Sequence, residues 1–243
     1  MKVILSLVFF FLMTSSFSRE KKDSTTRSTL KASATFSLNS NGISSIPAFS
    51  LGDPAAMASL SLAKGWFSYE PTLAYGLDGR PWFIDNWFRI KWINRPSFEF
   101  RTGMNISSFL SEYELPDGTI LQSERYFAFE FTGTYKFSRT ASLALSYWND
   151  RGQEPGSLKG HFIDLIGDKS DIPLGKHVLL GVNIQLFYIN YTGDNDGLFI
   201  APKISTSVRN VPLSLYFQAI QAFTSNMSPF PEFQWNIGLG YSL

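Results

Sequence analysis

From about residue 32 to the end, the chain alternates apolar and polar side chains with a period of two. The last eleven residues carry it furthest: Phe233, Trp235, Ile237, Leu239, Tyr241 and Leu243 alternate with Gln234, Asn236, Gly238, Gly240 and Ser242. Successive side chains of a strand point to opposite faces, so such a segment is a strand with one apolar and one polar face. Convincing helical periodicity is absent, which leaves an all-β chain.

The alternation predicts about twelve strands. They are 32–39, 56–64, 66–77, 82–93, 97–108 and 125–137 in the first half, then 140–148, 158–167, 177–191, 197–209, 212–223 and 232–243. Most are about nine to thirteen residues, the length a tilted strand needs to cross hydrocarbon. Ordinary globular strands are about five or six residues long. Connections alternate in length. Gly65, NRP, SR and NV are short, whereas SNGISSIPAFSLGDPAA, SEYELPDGTILQS, NDRGQEPGS and TSNMSPFP are long. DKSDIPLG, after the eighth strand, is long where a short turn is due. Alternating short turns and longer loops mark an up-and-down transmembrane antiparallel β-barrel, with both termini on the periplasmic side when the strand count is even.

Aromatic placement separates a membrane barrel from a soluble sandwich. Trp66, Trp92, Tyr135 and Tyr241 fall at strand ends beside short turns. Tyr75, Trp82, Tyr147, Tyr188 and Trp235 fall at ends beside long loops. Two girdles with aliphatics between them suit the two interfaces of a bilayer. Charged residues are only 17% of the chain and aromatics 16%. Soluble domains carry about a quarter charged residues, so much of this exterior is expected to face lipid rather than water.

The N-terminus, MKVILSLVFFFLMTSSFS, has one lysine, a short apolar run and small residues at Ser16 and Ser18. It reads as a secretory signal peptide over 1–18, too short to span a bilayer. Residues 19–31 read as a polar periplasmic tail and 32–243 as the barrel. No cysteine is present, which excludes disulfides, thiolate metal sites and a lipidated-cysteine anchor. The formal net charge of +1 offers no basic excess for a nucleic-acid partner.

A barrel must close its last strand on its first, or it leaves an unsatisfied edge in lipid. The closing strand is therefore Phe233, Trp235, Ile237, Leu239, Tyr241 and Leu243 with their polar neighbours. FQWNIGLGYSL also resembles the C-terminal strand of bacterial outer-membrane barrels, which the barrel-assembly machinery reads, although the usual last residue there is Phe or Trp and here it is Leu243. NGISSIPAFSLGDPAA, FSYEPTLAYGLDGRPW, YTGDNDGLFIAP and EFQWNIGLGYSL resemble segments of an uncharacterised, porin-like family of outer-membrane β-barrels of Bacteroidota. That resemblance implies location and fold, and it carries no activity.

Parity directs an unusual set of charges inward from the third to sixth strands: Glu70, Asp85, Arg89, Lys91, Glu99, Arg101 and Glu130. Adjacent strands let these side chains meet. They form either a salt-bridged filling of a narrow barrel or a charged constriction passing small polar solutes. The function readings are thus a narrow channel or transporter, a plugged structural or binding barrel presenting its loops, and a lipid-modifying enzyme. An enzyme would need a nucleophile beside His161 or His177, and no GxSxG elbow exists. The facing of 158–167, and with it of His161, is left open. GDNDG at 193–197 lacks the spaced carboxylates and distal Glu of a calcium loop, so neither metal nor cofactor is expected. Pro71 and Pro202 fall inside strands, and each is expected to impose a bulge. Outer-membrane lipid and the assembly machinery are the expected partners.

Overall fold

The computed structural model describes residues 29–115, 118–227 and 231–243. The signal-peptide segment 1–18 and most of the tail 19–31 lie outside the described residues. Twelve antiparallel strands form one closed barrel. They are β1 Lys31–Asn39, β2 Ala55–Lys64, β3 Phe67–Gly76, β4 Pro81–Asn94, β5 Phe98–Leu115 and β6 Gly118–Ser138, then β7 Ala141–Gly152, β8 Lys159–Leu174, β9 Val178–Tyr191, β10 Asn195–Val208, β11 Leu213–Ser225 and β12 Phe233–Ser242. Each strand pairs with its neighbours in sequence, and β1 pairs with β12.

Closure reaches the last residue. Phe36 stands opposite Tyr241 and Leu38 opposite Leu239. Leu243 donates its N–H to the Ala34 carbonyl at 2.8 Å and accepts from the Ala34 N–H at 3.2 Å. Strand edges need partners wherever water is excluded, and this pairing removes the last edge. The odd-numbered apolar positions of β12 from Phe233 to Tyr241, with Leu243 beyond them, are exposed on the outer surface, while Gln234 and Asn236 are buried within.

Five connections are tight: residues 65–66, 95–97, 139–140, 175–177 and 209–212. They share one end of the barrel, the turn end, and the remaining connections, the long ones among them, share the other, the loop end. The long DKSDIPLG stretch is resolved by β8 itself, which runs to Leu174 with a register shift between Lys169 and Ile172 where Asp171 takes a positive φ of 54°. Only 175–177 remains as turn, so every turn-end connection is short; the alternation is partial, because 77–80 and 192–194 at the loop end are short too. β5 and β6 are longer than the pattern predicts, 18 and 21 residues, because SEYEL and GTILQS extend the hairpin to Leu115 and Gly118.

Neither strand proline imposes the expected bulge. Pro71 pairs with Asn86 and Pro202 with Ile184 in unbroken register. On the other side of each proline, the paired positions simply lapse and resume in the same register. The missing N–H is thus absorbed by a gap in one ladder, and the nearby shifts fall instead at Ala74/Tyr75 and Leu198/Phe199.

Apolar packing inside the barrel has a single cause. The connection 40–54, between β1 and β2, folds inward instead of outward. Ile43, Ile46 and Ala48 are buried against inward-facing Phe162, Phe187 and Ile189 and their neighbours on β10 and β11. Phe49 stacks on Tyr191. Gln234 of β12 donates to the Ala48 carbonyl at 3.1 Å, and Leu51 N–H donates to the Gly42 carbonyl at 2.8 Å, closing the base of the segment. The segment is therefore pinned to the β8–β12 wall; toward the loop end the space left open lies mainly against β4–β7, and toward the turn end it reaches β8–β12 as well.

Candidate functional site: the lumen and its inward segment

At the turn end, the charges predicted to face inward form two joined groups. Arg89 of β4 bonds Glu70 of β3 through Nη1 and Glu130 of β6 through Nε, the latter at 2.5 Å. Arg101 of β5 bonds the other Glu130 oxygen at 3.0 Å, and Thr132 donates to that same oxygen. Glu130 is 1% exposed. Lys91 and Lys136 both reach Glu99, at 3.3 and 3.1 Å. Lys136 was not among the charges singled out from the sequence, although parity places it on the same face.

This geometry depends on a glycine. Gly103 of β5 stands opposite Arg89 on one side and opposite Glu130 on the other. A Cβ there would lie 2.7 Å from Glu130 Oε2 and 3.1 Å from Arg89 Cγ. The absent side chain lets a β4 arginine reach a β6 carboxylate across the intervening strand. The Arg89 guanidinium also lies 4.2 Å from the Trp87 ring centroid, a cation–π contact.

Asp85 stands apart from this network. It is 4% exposed, and its Oδ2 accepts from Ser45 Oγ of the inward segment at 2.7 Å. Trp87 and Trp148 pack beside it with ring centroids 4.7 Å apart. Ser45, Trp87 and Trp148 stand where the cavities of the lumen meet, with Asp85 beside Ser45. Toward the loop end lies a cavity of about 540 Å³. Toward the turn end lie cavities of about 610 and 280 Å³. Ser45 lines all three, and Trp87 and Trp148 line the first and third.

The girdle residues Trp66, Trp92, Tyr135, Tyr241, Tyr75, Tyr188 and Trp235 are exposed on the outer surface. Tyr147 is half-buried there, where its hydroxyl meets His161 Nδ1 at 2.8 Å. Trp82 is a correction. It is 7% exposed, packs against Phe83, Ala55 and Ala74, and lines the loop-end cavity. The register shift at Ala74/Tyr75 breaks the alternation there, and the base of segment 40–54 covers the ring, with Leu51 packed against it.

His161 faces outward with Tyr147 and Asn149 as its partners, and His177 lies in the tight turn after β8. Among the described residues no three His, Cys, Asp or Glu side chains converge on a metal position. GDNDG becomes a tight hairpin in which Gly193 and Asp194 take positive φ and β10 begins at Asn195.

Sequence reasoning missed Ser45, Trp148, Asp150 and Tyr191. Tyr191 donates its hydroxyl to Asp150 beside the loop-end cavity. Outside the spanning strands, Glu154 clasps Arg125, accepting from both its backbone N–H and its Nε at 2.7 Å. Those bonds hold the Glu154 carboxyl below the usual carboxylate range.

This twelve-strand closed barrel is shared with solved porins. The KdgM porin in complex with disordered oligogalacturonate superposes with a TM-score of 0.54, at 11% identity, covering 87% of this chain and 99% of that one. A second KdgM porin structure gives 0.54 at 12% identity, with the same coverage. The NanC porin gives 0.47 at 9% identity, covering 88% of this chain and all of that one. No protein-family profile and no curated protein sequence matches the chain. At such identities the likeness is one of fold alone.

Proposed function

We propose that this protein is a narrow outer-membrane channel for small polar solutes, from a Gram-negative bacterium of the Bacteroidota, exported by its signal peptide and with both termini periplasmic. The apolar outer surface, the aromatic residues near both ends and the porin fold support the location. The sequence segments that resemble Bacteroidota barrels support the origin. The loop end is then extracellular and the turn end periplasmic.

One observation carries the channel reading. The inward segment narrows the lumen from one side and leaves cavities on both of its faces that share Ser45, Trp87 and Trp148. A twelve-strand barrel is wider than the eight-strand kind that side chains fill, so a path past the segment beside Trp87 and Trp148 has room. The charged groups at the turn end act as a rigid, hydrogen-bonded wall of that path, and polar solutes slide over paired charges rather than binding a lone one.

A plugged barrel is the second reading, favoured by the Ser45–Asp85 hydrogen bond that ties the segment to the open wall. Planar-bilayer conductance separates them. The channel reading predicts small, resolvable conductance for the unaltered protein and an increase for Asp85→Ala, which releases the tie. Silence from both proteins would overturn it. The oligogalacturonate of the KdgM structure is an acidic saccharide, and the carboxylates Asp85 and Asp150 of the loop-end cavity disfavour that class here.

A further inference from the structure

The loop-end cavity is strongly aromatic, with serines, an asparagine and carboxylates between the rings. Trp82, Trp87, Phe109, Tyr126, Trp148 and Tyr191 supply aromatic surface to it. Three carboxylates line it too: Asp85 and Asp150, 4% and 8% exposed, and Glu124, which accepts from the Tyr126 hydroxyl at 2.7 Å. Asp85 accepts from Ser45, and Asp150 from the Tyr191 hydroxyl. Both donors are neutral.

No lysine or arginine lines this cavity among the described residues. Three nearby arginines are already committed. Arg89 is bound by Glu70 and Glu130, Arg80 by Asp78 and Glu112, and Arg125 by Glu154. The turn end differs: Glu70, Glu99 and Glu130 each have a cation there, and buried Asp164, which has none, lines none of the three cavities. Buried carboxylates are costly unless paired, so the countercharge missing from the loop-end cavity is one that arrives from outside. Aromatic faces attract the same sign of charge. Among the described residues no three carboxylates or histidines converge on a metal position, which points to an organic cation. The volume of about 540 Å³ suits one small molecule.

We propose that the loop-end cavity binds small organic cations, an amine or quaternary ammonium head on an apolar or aromatic body. The head lies between Asp85 and Asp150, and the body lies against the rings. This rests on the channel reading in one respect, that the bound cation is the solute the channel passes.

The test is an equilibrium titration of the full mature barrel in detergent. Three probes of similar size are benzyltrimethylammonium, neutral benzyl alcohol and anionic benzenesulfonate, followed by calorimetry and by the fluorescence of Trp82, Trp87 and Trp148. Benzyltrimethylammonium should bind about tenfold or more tightly than benzyl alcohol, with benzenesulfonate weakest. Asp150→Asn and Asp85→Asn should each weaken the cation about tenfold and leave benzyl alcohol unchanged. Equal binding of cation and alcohol to the unaltered barrel would overturn the proposal without any variant needing to fold. So would Asn variants that keep full cation affinity. Binding is read apart from conductance: a barrel that binds the cation yet never conducts supports this site and overturns the channel, and one that conducts yet prefers no cation overturns this site alone.

Discussion

Arg89 and Glu130 are paired at 2.5 Å although they lie on β4 and β6, with β5 between them. Gly103, the β5 residue opposite both, has no side chain to keep them apart. Gly103→Ala should therefore disturb the whole group, since its Cβ would sit 2.7 Å from a carboxylate oxygen already held by Arg89. Overpacking of this kind costs about 1–3 kcal/mol, and a lowered melting temperature in detergent checks it. An unchanged melt would mean the network yields without cost.

Arg89→Ala and Arg101→Ala separate a structural wall from a wet one. Arg89 satisfies two carboxylates, and Glu130 is 1% exposed. Removing one partner of a buried pair costs about 3–5 kcal/mol, so Arg89→Ala should melt markedly earlier. Arg101, a third exposed, should cost less. Both losses should shift the reversal potential in a salt gradient toward cation selectivity. A melt unchanged by Arg89→Ala would contradict the wall.

On the outer face, Ile184 and Leu239 are 45% and 46% exposed. Either residue replaced by Arg should destabilise by about 2–4 kcal/mol if that face meets hydrocarbon. Asn183→Ser, on the inner wall of the turn-end cavity, should change little. Gly238 is no such tolerant site despite facing inward, because a Cβ there would meet the Tyr216 ring at 2.1 Å. Chemical denaturation in lipid vesicles measures all three, and a tolerated Arg at 184 or 239 would contradict the lipid-facing belt.

The Glu154–Arg125 clasp gives a pH dependence. The Glu154 carboxyl is held below its usual 4.5 by the Arg125 bonds. A depressed folded-state value contributes stability above the unfolded value and loses it as pH falls through the folded one. Exchange protection of the Arg125 amide, corrected for intrinsic rates, should thus persist at neutral pH and fade only below about 4.5. Glu154→Gln should remove the pH step. A step centred above that value would contradict the assignment.

The barrel and its charged wall were legible in the sequence because β3–β6 pair in register through their middle. Parity carries Glu70, Asp85, Arg89 and Glu130 to one face wherever no bulge intervenes. It failed at Trp82, just past the shift at Ala74/Tyr75. The inward path of residues 40–54 was harder to see, since alternation says nothing about a loop. Two signals do point to it. Ile43, Ile46, Ala48 and Phe49 are apolar in a supposedly solvated connection. β9 loses its polar face at LFYI, 186–189, where Phe187 and Ile189 turn inward to meet that segment. An inner wall turns apolar only where something apolar covers it.

Segment 40–54 as a constriction, neither a filling nor a free loop, is the centre of this account. Gly42 and Leu51 are hydrogen-bonded at its base, so residues 43–50 can be replaced by a two-residue Asn-Gly turn that keeps that pair. Single-channel conductance of the unaltered barrel and of this variant, in planar bilayers, is the decisive measurement. The account predicts a small conductance for the first and a severalfold larger one for the second. A silent unaltered barrel opened only by the replacement, or equal conductance in the two, would contradict it.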